Sequence, residues 1–446
     1  MMTNSSTERL SSSGTAKGEL SVASPDERVV PSRALDLLLT SGVLLFVHGQ
    51  TTEKMTDTMV RLAEALGFQA SVFPRWGDLT VRIEGSNGSL HEIIAASPTG
   101  VDMGQVTATM NVIDDVCEGR IEAADGRSAL EAISHLPPIS LARFALLAAA
   151  GAAALGVIFG EVHPLSLLLI ACSAGIGACL RRWLGKISHN LFVQPFCAAL
   201  FAGAVGAVAA RFQVDSELHL VAVCPCMVLV PGPHLLNGAV DLARGRLPLG
   251  AWRTLFASLI ILVICTGLLV GLALGGVVLP ALGPTYPVPL GYDAIAAGVA
   301  VAAYGTFFAM PWRTLPIPIL IGMLAHASRW TVISWFGASP ETGALVACLI
   351  VGILITPIAD RMRLPFGALA FASVVSLIPG VFLFRMAGGL VSLVSLGKTA
   401  SPDLLLATVV DGTTALLIIL AMTFGLILPK ICIDHFRLFR HPTTRP

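Results

Sequence analysis

After residue 138 the chain becomes a succession of apolar stretches, most of them near the roughly 20 residues that a bilayer's hydrocarbon core requires. That feature leaves few folds open. In lipid, every backbone N–H and C=O must be bonded within the chain, so each stretch has to be helical unless protein or a watery cavity shelters it. Ten spans are predicted, over 141–160, 164–180, 191–210, 218–239, 254–279, 291–310, 315–335, 342–358, 366–391 and 403–428. The short second and eighth spans suit tilted or partly re-entrant segments. Composition agrees, with 55% hydrophobic and 13% charged residues, where soluble proteins carry roughly 25% charged.

A net charge of zero hides an asymmetry. Residues 1–138 hold 18 acids and 10 bases, a balance of −8, and residues 139–446 hold 10 acids and 18 bases, a balance of +8. The front reads as an acidic soluble domain and the rest as a membrane domain. Residues 1–30 are rich in Ser and Thr, which predicts disorder, and contain no apolar run of signal-peptide length, which predicts a cytosolic front. Residues 31–138 predict a small α+β domain. It has a helix over 33–49 closed by Gly49 and a second helix ended by Gly67. The strands QASVF, LTVRI and LHEIIAAS follow, then two helices up to Pro137-Pro138.

Basic residues predict the orientation. With the N-terminus inside, Arg143, Arg181, Arg182, Lys186, Arg244, Arg246, Arg253, Arg313, Arg361, Arg363, Lys430, Arg437, Arg440 and Arg445 all fall inward. Only Arg211, Arg329, Arg385 and Lys398 do not, a split of 14 against 4. Positive-inside topology therefore puts both termini in the cytosol.

The fourth span contains an interruption, LVPGPHLLNGAVDLARGR at 229–246. Pro231-Gly232 suits a helix interior poorly, and the chain then turns polar at His234, Asn237 and Asp241. The pattern returns as LIPGVFLFR, with Pro379 lying 148 residues after Pro231 and Gly380 beside it. The next spans end alike, VVLP at 277–280 and LILP at 426–429. Two five-span repeats are predicted, 139–287 and 288–430, followed by a cytosolic tail over 431–446. Five is odd, so the second repeat enters the membrane inverted. Matched broken helices in inverted repeats mark secondary transporters, whose helix ends bind substrate near the midplane.

PGPHLLNGAVDLARGR, together with LLLTSGVLLFVHGQTTEKMTDTMVRLAEALGF at the front, resembles the threonine/serine exporter family over residues 31–430. The resemblance implies a cytosolic N-terminal domain and ten spans in two halves. It also implies export of threonine and serine across a bacterial inner membrane, driven by the proton motive force. By position in the motif it points to Pro231, Gly232, Asn237, Asp241, Pro379 and Gly380. The second break departs from the motif, carrying Phe382, Phe384 and Arg385 where the first carries Asn and Asp. The halves are chemically unequal, so the substrate could differ from threonine.

Ionisable residues at depth are functional candidates by default. Asp411, in TVVDGTTALL, and Asp241 are the carboxylates best placed for proton coupling, one per half. Asp411 has an alternative as a partner of Arg385, which could itself bind a substrate carboxylate. His326 is a candidate relay or an interhelical hydrogen-bonding group, and Asp293 and Glu341 read as interfacial. Cys224-Pro225-Cys226 reads as packing. The sequence has no Gly-x-Ser-x-Gly elbow and no P-loop, which argues against a hydrolase and against ATP-driven transport. Nothing points to a cofactor, a metal or nucleic acid; homo-oligomerisation stays open. The reading is a proton-coupled transporter rather than an enzyme. The alternatives are a carrier of another small polar or carboxylate metabolite, or a membrane-anchored enzyme or sensor acting through the N-terminal domain.

Overall fold

The computed structural model describes residues 25–85, 88–214, 219–279, 288–362, 364 and 366–440. Most of the segment expected to be disordered (1–24), Pro280 of the VVLP echo, Arg363 and the tail from 441 lie outside the described residues. Four helices and three strands come first: α1 (Pro25–Val47), α2 (Thr52–Ala65), β1 (Gln69–Arg75), β2 (Gly77–Gly85), β3 (Gly88–Ala96), α3 (Met103–Cys117) and α4 (Ala123–Ser134). The strands form an antiparallel meander in the order β1-β2-β3. Alternation on β2 sends Leu79, Val81 and Ile83 to one face, all buried. Helical spacing puts Met55, Met59 and Leu62 of α2 on one side, and they join Leu38, Leu45 and Phe46 of α1 in the same core. Asp102 caps α3, its carboxylate accepting from the Gln105 N–H at 2.9 Å.

The apolar helices follow: α5 (Leu141–Ile158), α6 (Pro164–Ile187), α7 (Val193–Arg211), α8 (Leu220–Met227), α9 (Gly232–Ala243), α10 (Leu247–Leu274), α11 (Leu290–Phe307), α12 (Pro316–Phe336), α13 (Pro340–Arg361), α14 (Phe366–Val374), α15 (Gly380–Leu396) and α16 (Pro402–Arg440). Among the described residues, nine helices are long and apolar enough to cross a membrane. The pair α8–α9 passes the same test jointly, bent by 53° at its break. The chain is a polytopic helical membrane protein.

Several expectations need correction. The second span is not short: α6 has 24 residues, and Arg181, Arg182 and Lys186 ride on its last turns rather than in a loop. Arg181 and Arg182 lie over the rings of Phe307 and Phe144 at 4.9 and 4.8 Å, a favourable seat for a guanidinium that lets the helix continue. The eighth span, α13, has 22 residues. The ninth span breaks as its Pro-Gly pair predicts, dividing into α14, a single 3-10 turn (Val375–Leu377) and α15.

Packing follows a repeated scheme. In the first set α5 packs on α6, α6 on α7, α7 on α10 and α9 on α10, with short α8 against α5, α6 and α7. In the second set α11 packs on α12, α12 on α13, α13 on α16 and α15 on α16, with short α14 against α11, α12 and α13. Small residues let the long pairs close up: a Cβ on Gly271 would stand 2.3 Å from the Leu200 carbonyl, and one on Gly425 would stand 2.6 Å from Cys348 Cβ.

Candidate functional site

The two Pro-Gly breaks adopt one conformation. Pro231 has φ −83° and ψ 61°, and Pro379 has φ −77° and ψ 46°. In each, the glycine N–H donates two residues back, Gly232 to Val230 O at 2.9 Å and Gly380 to Ile378 O at 2.8 Å. This is an inverse γ-turn, a shape suited to the ring-constrained φ of proline. The breaks also interlock. A Cβ on Gly232 would lie 1.5 Å from Cζ of Phe371 on α14, and one on Gly380 would lie 2.7 Å from Cγ of Met227 on α8. Each glycine lies against a side chain from the other set of helices. The Tyr304 hydroxyl donates to the Met227 carbonyl at 2.7 Å, pairing a group exposed where α8 ends.

Between the breaks lies an open groove, about 400 Å³ with the solvent at its mouth, whose lining includes Gly232, Leu235, Leu236, Phe371, Ile378 and Pro379, with Thr423 the one polar side chain among the described residues. His234, Asn237 and Asp241 do not face it. Their spacing of three and four residues sets them on one stripe of α9, and Asn237 and Asp241 bond to the α1–α2 corner. That corner is built locally. Gly49 ends α1 at φ +91°, with Gly49 N–H donating to Phe46 O and Gln50 N–H to Leu45 O. This is a Schellman stop, whose positive φ suits glycine. It leaves the Gly49 carbonyl free to accept from Asn237 Nδ2 at 3.0 Å.

One turn further, Asp241 accepts from the Thr52 hydroxyl at 3.1 Å. Arg253 Nη1 lies 3.1 Å from the same carboxylate, and Arg246 Nη1 lies 3.6 Å from its other oxygen. Arg253 was expected to face the cytosol; it lies inside α10, is 1% exposed, and sits 5.4 Å over the Phe46 ring. Its charge is sequestered because Asp241 and Phe46 receive it. Glu53 pairs with Arg244 at 3.0 Å at the rim. His234 meets the Phe256 ring edge-on at 5.2 Å, and Trp76 of the β1–β2 turn meets the same ring. Burial holds the neighbouring His48 imidazole below its usual range, opposed in part by the charge of Asp102.

Two further clusters lie in the second set. Asp411, 4% exposed, pairs with Arg385 Nε at 3.1 Å between α16 and α15. Asp293, read as interfacial from its place near a helix start, is 3% exposed. Its Oδ2 lies 3.1 Å from His326 Nδ1, and His326 Nε2 lies 2.7 Å from the Ser376 hydroxyl in the 3-10 turn before the second break. A carboxylate one turn into a helix can be buried when the next helix supplies a partner. Sequence reasoning gave no site role to Thr52, Phe371 or Ser376, and took Arg253 only as an inward-facing cation. Arg253 alone carried a signal, as a cation six residues inside an apolar helix.

A family model for a threonine/serine exporter matches residues 36–275, and a second, described as "Threonine/Serine exporter, ThrE", matches residues 293–432. The chain belongs to the threonine/serine exporter family. It is 25% identical to a "Threonine/serine exporter" of Corynebacterium glutamicum over 263 residues, which cover 56% of this chain and 51% of that relative. The chain thus spans about half the length of the curated relative it matches. No solved structure matches it. The family is one of exporters and not of enzymes.

Proposed function

We propose that this protein exports small hydroxy amino acids, threonine and serine, from the cytosol of a bacterial cell across the inner membrane, driven by the proton motive force. The observation that carries the reading is the reciprocity of the breaks. Each has the same γ-turn, each glycine packs against the other half, and a cleft lies between them. Such discontinuous helices bind substrate in transporters built on inverted repeats. The matching packing schemes of α5–α10 and α11–α16 support two repeats of five spans, 139–287 and 288–430, with α8–α9 and α14–α15 each counted as one span. Residues 31–138 are then a cytosolic domain seated on α9.

In this reading Pro231, Gly232, Pro379 and Gly380 form the walls of the passage. His234 and Asn237 lie on its cytosolic approach, and Arg385 guards the other end. Asp241, Asp411 and His326 are the titrating groups that couple the cycle to protons. The deciding experiment expresses the protein in a host lacking its own threonine exporters and feeds it threonine dipeptides. External threonine should rise while the internal pool falls. An unchanged partition of threonine and serine would overturn the reading.

The orientation gives a second expected result. Cysteines placed at Lys186 and Arg361, both exposed at helix ends, should react with impermeant maleimide in inverted vesicles and not in intact cells. Labelling from outside at either position would reverse the topology.

A further inference from the structure

We infer that Asp293, His326 and Ser376 form a proton relay in the second half, separate from the Asp411–Arg385 pair and linking the outer end of α11 to the second helix break; this rests on the proton-driven reading above. Three elements supply it: Asp293 from α11, His326 from α12 and Ser376 from the 3-10 turn. The links are 3.1 and 2.7 Å, and all three residues are at most 3% exposed. Buried ionisable groups in a membrane protein are costly, and chains of Asp and His are a usual form of proton relay there.

Position gives the chain its direction. In the proposed orientation α11 begins at the outer face, and Asp293 is its fourth residue. His326 lies at the middle of α12. Ser376 stands three residues before Pro379, and the intervening Ile378 lines the cleft. The three groups therefore lead from the outer end of a helix to the break that borders the passage. Their connectivity is that of a Ser–His–Asp triad, but Ser376 is buried and does not line the cleft, so it has no access to a substrate carbonyl. The chemistry left to the chain is proton transfer.

The two protonation states differ in a way the break can register. With His326 neutral and its proton on Nδ1 facing Asp293, Nε2 accepts a hydrogen bond from the Ser376 hydroxyl. One added proton, taken up at the Nε2 lone pair, forms an Nε2–H bond and converts the ring to imidazolium held by the Asp293 carboxylate at Nδ1; Nε2–H then donates to Ser376 Oγ. The sense of the bond reverses and the serine proton must find another acceptor in the 3-10 turn. No covalent bond is broken, and the added proton stays on the imidazole until it leaves inward.

Arg329, one turn along α12, interacts electrostatically with Asp293. The other charges on the neighbouring helices are Arg143 on α5, beside Thr306 at the opposite end of α11, and Glu341, Asp360 and Arg361 at the ends of α13. α14 contributes none.

The test uses full-length protein in proteoliposomes, with threonine counterflow and pH-gradient-driven accumulation read separately. Asp293→Asn preserves a hydrogen bond to His326 and removes the titration. Accumulation is expected to fall by about tenfold or more, with folded protein unchanged and exchange continuing. Ser376→Ala is expected to move the pH midpoint of exchange by about one unit, which a purely structural serine would not do. Normal gradient-driven accumulation by Asp293→Asn, in protein that carries threonine, overturns the relay and leaves the exporter reading standing.

A substrate-free readout covers the case in which wild type carries no threonine, which would sink the exporter reading instead. Trp330 Nε1 donates to Val288 O just before α11 at 2.7 Å, one turn beyond His326. Its fluorescence, isolated by comparison with Trp330→Phe, should change with pH in wild type, and Asp293→Asn should displace that change. A wild-type signal independent of pH wherever the protein stays folded overturns the relay.

Discussion

Gly232→Ala is expected to abolish export. The added methyl would stand 1.5 Å from Cζ and 1.8 Å from Cε2 of Phe371, a ring that is 4% exposed and packs edge-on against Phe308 at 5.8 Å. Overpacking of this kind typically costs about 1–3 kcal/mol, and here it falls where α9 crosses α14, so the halves must separate to relieve it. Transport in proteoliposomes measures the loss. The rescue is specific: Phe371→Leu in the Gly232→Ala background removes the ring atoms in conflict and should return a substantial part of the activity. The single variant Phe371→Leu leaves a gap and should transport at a reduced rate. A fully active Gly232→Ala protein would mean that the two breaks do not pack as described.

Asp241→Ala should cause the largest loss of stability of any single change at the C-terminal end of α9. Removing the carboxylate strands Arg253, 1% exposed, without its counter-charge; breaking such a buried pair costs about 3–5 kcal/mol. The Thr52 hydroxyl loses its acceptor as well. Since this carboxylate joins α2, α9 and α10, the N-terminal elements should loosen together with the membrane helices. Thermal unfolding in detergent and proteolysis of residues 31–138 provide the measurement. Asp411→Ala is the comparison: its partner Arg385 has 13% of its side chain exposed, so water can reach the abandoned charge and the loss should be smaller. Equal melting temperatures for the two variants would contradict the ranking.

The experiments at Gly232 and Asp241 separate two tasks that one sequence motif combines. In LVPGPHLLNGAVDLARGR the apolar side of α9, Leu235 and Leu236, faces the cleft. The polar stripe of Asn237 and Asp241 faces the α1–α2 corner. Helical periodicity alone puts those two sets on different sides. One break thus supplies both a bent helix and a seat for the α1–α2 corner. The second break carries Phe382, Phe384 and Arg385 in place of an Asn/Asp pair.

Much of this protein is written in short-range patterns. The apolar runs specify transmembrane helices because lipid offers the backbone no other partner. The alternation in LTVRI specifies β2, and Gly49 and Gly67 stop their helices where a positive φ is needed. The Pro-Gly pairs announce both breaks, since a ring-constrained φ and a missing donor act locally wherever they occur. What no local pattern contains is the partner of each group. Asn237 bonds to a carbonyl 188 residues away and Asp241 to a hydroxyl 189 residues away. Asp293 looks interfacial until α12 brings His326 against it, and Phe371 is one more apolar residue until Gly232 proves to lie beneath it. These pairings depend on which helix crosses which. That is decided by the collective packing of twelve apolar helices whose stretches, read singly, are nearly interchangeable, so the partners of the buried charges exist only in the tertiary structure.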